Sequence, residues 1–172
     1  MEIEQVIGDY KNFSSDLFKR LTAADINIQG LPLSHICYRV NNFEEYKIVS
    51  EQLKHFSRAW AEHEFGGRLV SEFILKNPLS LEEGGSVRVV ELLPSKAGSS
   101  YSRGLQNIGI IVGKNLLEFN EKYKNVLTGI KNRSPHCKPS FITFENGKTA
   151  KFYDQSLENI VRSDGIVFKV IQ

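Results

Sequence analysis

The sequence predicts an α+β domain built from two successive strand–helix–three-strand (βαβββ) modules behind an N-terminal helix. Three observations carry this. Apolar residues change from a three- to four-residue step to a two-residue step, in the same order, twice along the chain. Glycine pairs and an Asn-Gly dipeptide stand where hairpins must turn. A stretch of small and polar residues at 94–104, PSKAGSSYSRG, separates the halves.

The elements follow in order. Val6, Tyr10, Phe13, Leu17 and Leu21 share one helical face, and Gly30 and Pro32 break the chain after it. His35 to Val40 reads as a strand with Ile36, Tyr38 and Val40 on one side and His35, Cys37 and Arg39 on the other. Asn41 or Asn42 caps a helix carrying Phe43, Tyr46, Val49, Leu53 and Phe56. A hairpin turning at Gly66-Gly67 joins strands near 58–64 and 68–76, and Gly84-Gly85 precede a strand over 86–93. The pattern then restarts, with a strand over 107–112 and a helix marked by Leu116, Phe119, Tyr123 and Leu127. Strands at 141–144 and 148–153 flank Asn146-Gly147, where a type I′ turn is expected. Ser156 caps a short helix through Val161, and 166–171 adds an edge strand. One domain over 1–172 results: a helical extension (1–30), a first module (31–94), a linker (95–104), and a second module with a C-terminal helix and strand (105–172).

The 22 basic and 20 acidic side chains leave a formal charge of +2, no electrostatic case for nucleic acid or an anionic membrane. No apolar run approaches a membrane span, and the opening MEIEQVIGDYKN is not signal-like, so a cytoplasmic location is expected. Cys37 and Cys137 are then expected as reduced thiols, with one disulfide the alternative.

Strand parity singles out three residues. His35 begins the first strand of the first half, and Asn107 opens the second half in the same place. Glu91 shares its face with Val87, Val89 and Leu93, so a charge interrupts an apolar run and needs a cation, a proton or donors. Imidazole and carboxylate on nearby strands suit zinc or iron(II). The plainer alternative is a hydrogen-bonded core histidine and a glutamate paired with Arg39, Arg68 or Arg88. His55 and His63 lack partner spacing and are expected on the surface; His136-Cys137, between Pro135 and Pro139, is expected in a loop. Arg39 and Lys151 either line a cleft and bind an anion or form structural ion pairs, and Tyr101 and Arg103 could close over a ligand.

Five segments, in order, resemble the YecM family. Ser34-His35-Ile36-Cys37-Tyr38-Arg39 is similar to its Asp-His-Ile-Ser-x-Arg strand, and Val89-Val90-Glu91-Leu92-Leu93-Pro94 to its Val-Glu-Leu-Pro strand. Gly104-Leu105-Gln106-Asn107-Ile108 lies where the family has Trp-Glu-His-Ile. Asn146-Gly147-Lys148-Thr149 through Lys151-Phe152 is similar to Asp-Gly-Lys-Thr and Lys-Phe, and Ser156-Leu157-Glu158-Asn159-Ile160-Val161 to Ser-Ile-Glu-Glu-Ile-Val. The resemblance implies the glyoxalase-like, paired βαβββ fold of the vicinal-oxygen-chelate superfamily, which includes glyoxalase I, ring-cleaving dioxygenases and antibiotic-resistance proteins. That superfamily draws metal ligands from the first and last strands of each half. It implies His35, Glu91 and Asn107 as the metal set, with a fourth position near Lys151–Tyr153, and Glu91 as ligand or catalytic base; Arg39, Lys151 and Tyr153 are the candidate ligand-binding residues. Asn107 replaces the family's histidine, and Lys151, Phe152 and Tyr153 offer no carboxylate, so the implied zinc or iron is weakly held or absent. The expected function is a cleft protein for a small oxygenated ligand: a metal-dependent isomerase or oxidoreductase, or a metal-free binding or sequestering protein. An interaction module with a vestigial cleft is the third reading.

Overall fold

The computed structural model describes residues 1–82, 85–95, 98 and 102–172. Gly84 and half of the 95–104 linker, Tyr101 included, lie outside the described residues. The expected single N-terminal helix is two helices, α1 (Glu4–Ile7) and α2 (Tyr10–Ala23). Gly8, at φ 85°, breaks the run, and Asp9 caps α2 by accepting the Asn12 amide.

The first module is β1 (Leu33–Val40), α3 (Phe43–Phe56), β2 (Ser57–Phe65), β3 (Arg68–Ser80) and β4 (Ser86–Pro94). Asn42 caps α3 through the Glu45 amide. The second is β5 (Gly104–Ile111), α4 (Leu116–Tyr123), β6 (Gly129–Ile130), β7 (Ser140–Thr143) and β8 (Thr149–Tyr153). Then come α5 (Leu157–Ser163), capped by Ser156, and β9 (Lys169–Val170). The two-residue β6 has no signal in the sequence, and β9 is shorter than the edge strand expected over 166–171.

The strands form one nine-stranded sheet, β6-β7-β8-β5-β1-β4-β3-β2-β9. In each half the first and last strands pair in parallel, β1 with β4 and β5 with β8. The halves join where β1 and β5 run antiparallel. These registers define a pseudo-twofold axis. Ile36 faces Ile108 across the seam, and Ile36 pairs with Val90 as Ile108 pairs with Ala150. His35 and Asn107 therefore hold equivalent positions, and so do Glu91 and Lys151.

The main core lies on one face of the sheet. Ile36, Tyr38, Val90, Leu92, Phe73, Ile108, Ile110 and Phe152 pack there against Leu17 and Leu21 of α2, Tyr46, Val49 and Leu53 of α3, and Phe119 of α4. Period-two strands and period-3.6 helices each present one apolar side, and burying a large side chain such as Leu17 contributes about 1.5–3 kcal/mol. The other face, called the inner face here, carries His35, Cys37, Glu91, Asn107, Lys151 and Tyr153.

The two hairpin signals resolve differently. Gly66 and Gly67 both have positive φ, as a type I′ turn requires, and Phe65 pairs with Arg68. At Asn146-Gly147 only Gly147 does (φ 77°), so the expected type I′ turn is not formed. The Phe144 carbonyl accepts the Gly147 amide at 2.8 Å, and the Phe144 amide donates to Lys148. This is a three-residue loop, a type I turn followed by a left-handed glycine. Among the described residues no helix is long and apolar enough to cross a membrane.

Candidate functional site

His35 is fully buried on β1. Its neighbour across the seam is Gly109, where a Cβ would fall 2.4 Å from the imidazole Cε1. Only glycine lets the ring lie over the β5 backbone toward β8, where it meets the Tyr153 ring edge-on at 5.3 Å between centroids. Behind it, Nδ1 is 2.9 Å from the Ser34 hydroxyl, which also accepts the Leu157 amide at 2.7 Å. Ser34 thus ties the imidazole to the first turn of α5. Burial, the largest cause, drives the His35 pKa down to about 3, with Glu91 opposing and Lys151 and Arg133 assisting, so the ring is neutral near pH 7.

Glu91 lies beside Cys37 in the β1–β4 register, on the His35 face, and its Oε2 is 3.9 Å from His35 Nε2. Burial alone would raise its pKa; Arg133, then Lys151 and His35, more than reverse that and hold the carboxyl below the usual range. Burial and the Glu91 charge together push the Cys37 thiol up to about 12, so this cysteine is no nucleophile.

The ion-pair partner of Glu91 is Arg133, which the sequence did not flag. Its Nη1 donates to Glu91 Oε1 at 2.7 Å, and its Nη2 is 3.3 Å from Glu72 Oε1. Of the partners considered instead, Arg68 donates to the Pro94 carbonyl and Arg88 to the Leu75 and Lys76 carbonyls. Glu72, fully buried on β3, sits directly opposite Glu91 in the β3–β4 register. It also meets His63 Nε2 at 3.1 Å, so His63 is a partner of the buried cluster rather than a surface histidine. The Glu72 contact outweighs burial and raises the His63 pKa.

Two of these residues were missed for different reasons. Glu72 interrupts Val70 and Ile74 on an apolar face just as Glu91 interrupts its own run, so parity could have found it. Arg133 sits in a turn where its amide and that of Ser134 donate to the Cys137 carbonyl. Its guanidinium lies over the Phe65 ring at 4.8 Å. No periodicity connects that turn to β4, 42 residues away.

The second half of the centre differs from the first. Asn107 is buried opposite Cys37, and Tyr153 is buried with its pKa raised, by burial first and then by the Glu91 charge. Lys151 faces the same side from the position equivalent to Glu91. Arg39 is buried on the same side of β1. His35 Nε2, Glu91 Oε2, Asn107 Oδ1 and the Tyr153 hydroxyl are all buried without a hydrogen-bond partner among the described residues. Such atoms each cost about 1–3 kcal/mol until something meets them.

The inner face is not an open cleft along its length. Over the first module, Leu157 and Val161 of α5 and Phe168 pack on Ala59, Ala61, Ile74 and Val89. Over the second, Phe141, Thr149 and Lys151 stay half-exposed. Two grooves lie elsewhere, one of 880 Å³ between the end of α2 and residues 25–33, the other of 530 Å³ beside His136 and Asp154. Neither is lined by His35 or Glu91, and the chemistry of the buried atoms, not groove size, marks the site. Among the described residues no three His, Cys, Asp or Glu side chains are grouped to hold a metal. Cys37 and Cys137 are both free and buried.

No curated protein matches the chain. Among solved structures, the structural-genomics protein EC4020 is similar over 95% of this chain and 97% of its own, at 23% identity and a TM-score of 0.65, a likeness of fold. The fosfomycin resistance protein FosX of Listeria monocytogenes, solved with Mn(II) and 1S,2S-dihydroxypropylphosphonic acid, aligns over 80% of this chain and 99% of its own. At 15% identity and a TM-score of 0.30, that likeness carries no argument about this chain. A family model described as YecM protein matches residues 2–145, most of the sequence, and the chain belongs to the YecM family.

Proposed function

We propose that this protein binds a small oxygenated molecule on the inner face of its sheet and that Arg133, rather than a tightly held metal, supplies the positive charge at Glu91. The observation that carries this is the set of four buried polar atoms without partners among the described residues, one of them the second oxygen of the Glu91 carboxylate whose first is taken by Arg133. A ligand that brings hydrogen bonds to those atoms removes their cost. An imidazole nitrogen, a carboxylate oxygen and an amide oxygen fit a divalent cation only in part. The guanidinium stands 2.7 Å from the same carboxylate, and Lys151 acts on it too. A cation entering beside them meets like charge, and the neutral Asn107 amide is a weak donor for zinc or iron(II). His35, Glu91 and Asn107 are the residues that would hold such an ion weakly.

The second reading is the metal-dependent isomerase or oxidoreductase, favoured by the acceptor character of the same atoms; a bound ion would supply Lewis acidity there. Calorimetric titration with zinc and iron(II) separates the two. Wild type is expected to show no stoichiometric binding, and Asn107→His to bind about 10–100-fold more tightly, the range that changes around a metal site produce. Stoichiometric binding by wild type that disappears in His35→Ala would overturn the metal-free reading. A panel of small oxygenated compounds that shifts no amide NMR signal of β1, β4 or β5 would defeat the ligand site itself.

A further inference from the structure

We propose that the inner face takes a small hydroxylated acid, its hydroxyl groups donating to Glu91 and Asn107 and its acid group held by Lys151 and Lys131. This rests on the reading of the inner face as a ligand site and names the class of ligand.

The polarity of the buried atoms comes first. Glu91 Oε2 and Asn107 Oδ1 can only accept hydrogen bonds, while His35 Nε2 and the Tyr153 hydroxyl can take either part. A ketone or an ether brings no donor to the two acceptors; adjacent hydroxyl groups do.

Charge comes second. The pseudo-twofold axis that relates His35 to Asn107 relates Glu91 to Lys151, so the centre is acidic in one half and basic in the other. Lys151 is the register partner of Phe141, and the Lys131 ammonium lies over the Phe141 ring at 5.4 Å. Among the described residues no carboxylate forms an ion pair with either lysine, whereas Arg133 already spans Glu72 and Glu91. Two neighbouring ammonium groups with no carboxylate at ion-pair distance among the described residues offer an oxyanion two charge-assisted hydrogen bonds.

Access comes third. The acidic half is covered by α5, while Lys151, Thr149 and Phe141 remain half-exposed. A ligand entering there arrives hydroxyl end first and leaves its acid at the rim. β8 is one spacing from Asn107 on β5 and three from Glu91 on β4, about 5 and 14 Å between backbones, and the Glu91 and Lys151 side chains span part of the longer gap, which leaves room for a chain of a few carbons.

The test is an NMR titration of the whole protein with glycerate, glycerol 3-phosphate, glycerol and inorganic phosphate. Both hydroxylated acids are expected to shift amides of β4, β5 and β8 and to bind about tenfold or more tightly than glycerol or phosphate, the worth of one charged hydrogen bond. Lys151→Gln and Lys131→Gln are each expected to remove most of that advantage without changing the response to glycerol. Acids that bind no better than glycerol, or bind equally to both lysine variants, would overturn the assignment. Glycerol shifts on β1 and β4 would then leave the ligand site standing, whereas silence from every probe there would take both readings down.

Discussion

Arg133→Met cuts two ion pairs at once while keeping an apolar stem over Phe65. The carboxylates it abandons are 0% and 3% exposed, so water cannot replace it. Removing one partner of a buried pair costs about 3–5 kcal/mol, because the remaining charge is left uncompensated. With a urea slope of about 2 kcal/mol/M, the unfolding midpoint falls by about 2 M. The pH dependence carries a further check. The Glu91 pKa is depressed in the folded protein, so its contribution is present above the unfolded value, 4.5, and is lost as pH falls through the folded one. Arg133 is the largest charge behind that depression. The gap between wild type and variant is therefore full at pH 7 and narrows below pH 4.5. Urea denaturation at pH 7 and pH 4 measures both. A loss under about 1 kcal/mol at pH 7 would mean that the pair is solvated, as surface pairs are, and a gap that widens in acid would refute the linkage.

Three further outcomes are expected. Gly109→Ala must displace the His35 ring, because the new methyl would sit 2.4 Å from it; loss of thermal stability with a moved His35 NMR signal is the readout, and an unmoved signal would contradict the packing. His35, with its pKa lowered from 6.5 to about 3, makes wild type lose about 1.4 kcal/mol per pH unit as pH falls between those values, whereas His63, with its pKa raised, contributes stability below pH 6.5 that is lost as pH rises through its folded pKa. Denaturation midpoints from pH 4 to 8 in His35→Gln and His63→Gln should flatten the acid and alkaline arms respectively. Ser34→Ala strands the Leu157 amide and one His35 nitrogen, costing about 1–3 kcal/mol, and faster hydrogen exchange at Leu157 than at Ile160 would report it.

Most of the sheet was legible because its faces differ. Ile36, Tyr38 and Val40 against His35, Cys37 and Arg39 is a parity pattern, and parity marks Glu91 on its own strand in the same way; that His35, Glu91 and Asn107 share one side follows from the β1–β4 and β1–β5 registers, which no single strand's period encodes. What failed to show was whatever the period does not encode. Asn146-Gly147 marked a turn but not its type, since a glycine in the left-handed region serves a three-residue loop as well as a two-residue one. The Gly8 break was hidden because Val6, Tyr10 and Phe13 keep a helical spacing across it. Arg133 was invisible because its partners come from two strands far away in sequence, and nothing in Asn132-Arg133-Ser134 distinguishes it from a solvated loop arginine.

The outer margins of the sheet have a consequence for solubility. A sheet of nine strands has two edges, and both outermost strands, β6 and β9, are two residues long. β9 covers only Ala59 and Trp60 of β2, with the Ile171 amide reaching the Arg58 carbonyl, yet β2 itself runs for nine residues. Short, lysine-bearing margins give another molecule's strand little to extend, while a long bare one is a template for self-association. Lys169, stacked over Trp60 at 5.2 Å, adds charge at that margin. Stripping residues 166–172 would free the Arg58–Trp60 end of β2, the part of that edge that β9 covers, and the damage would appear as concentration-dependent aggregation.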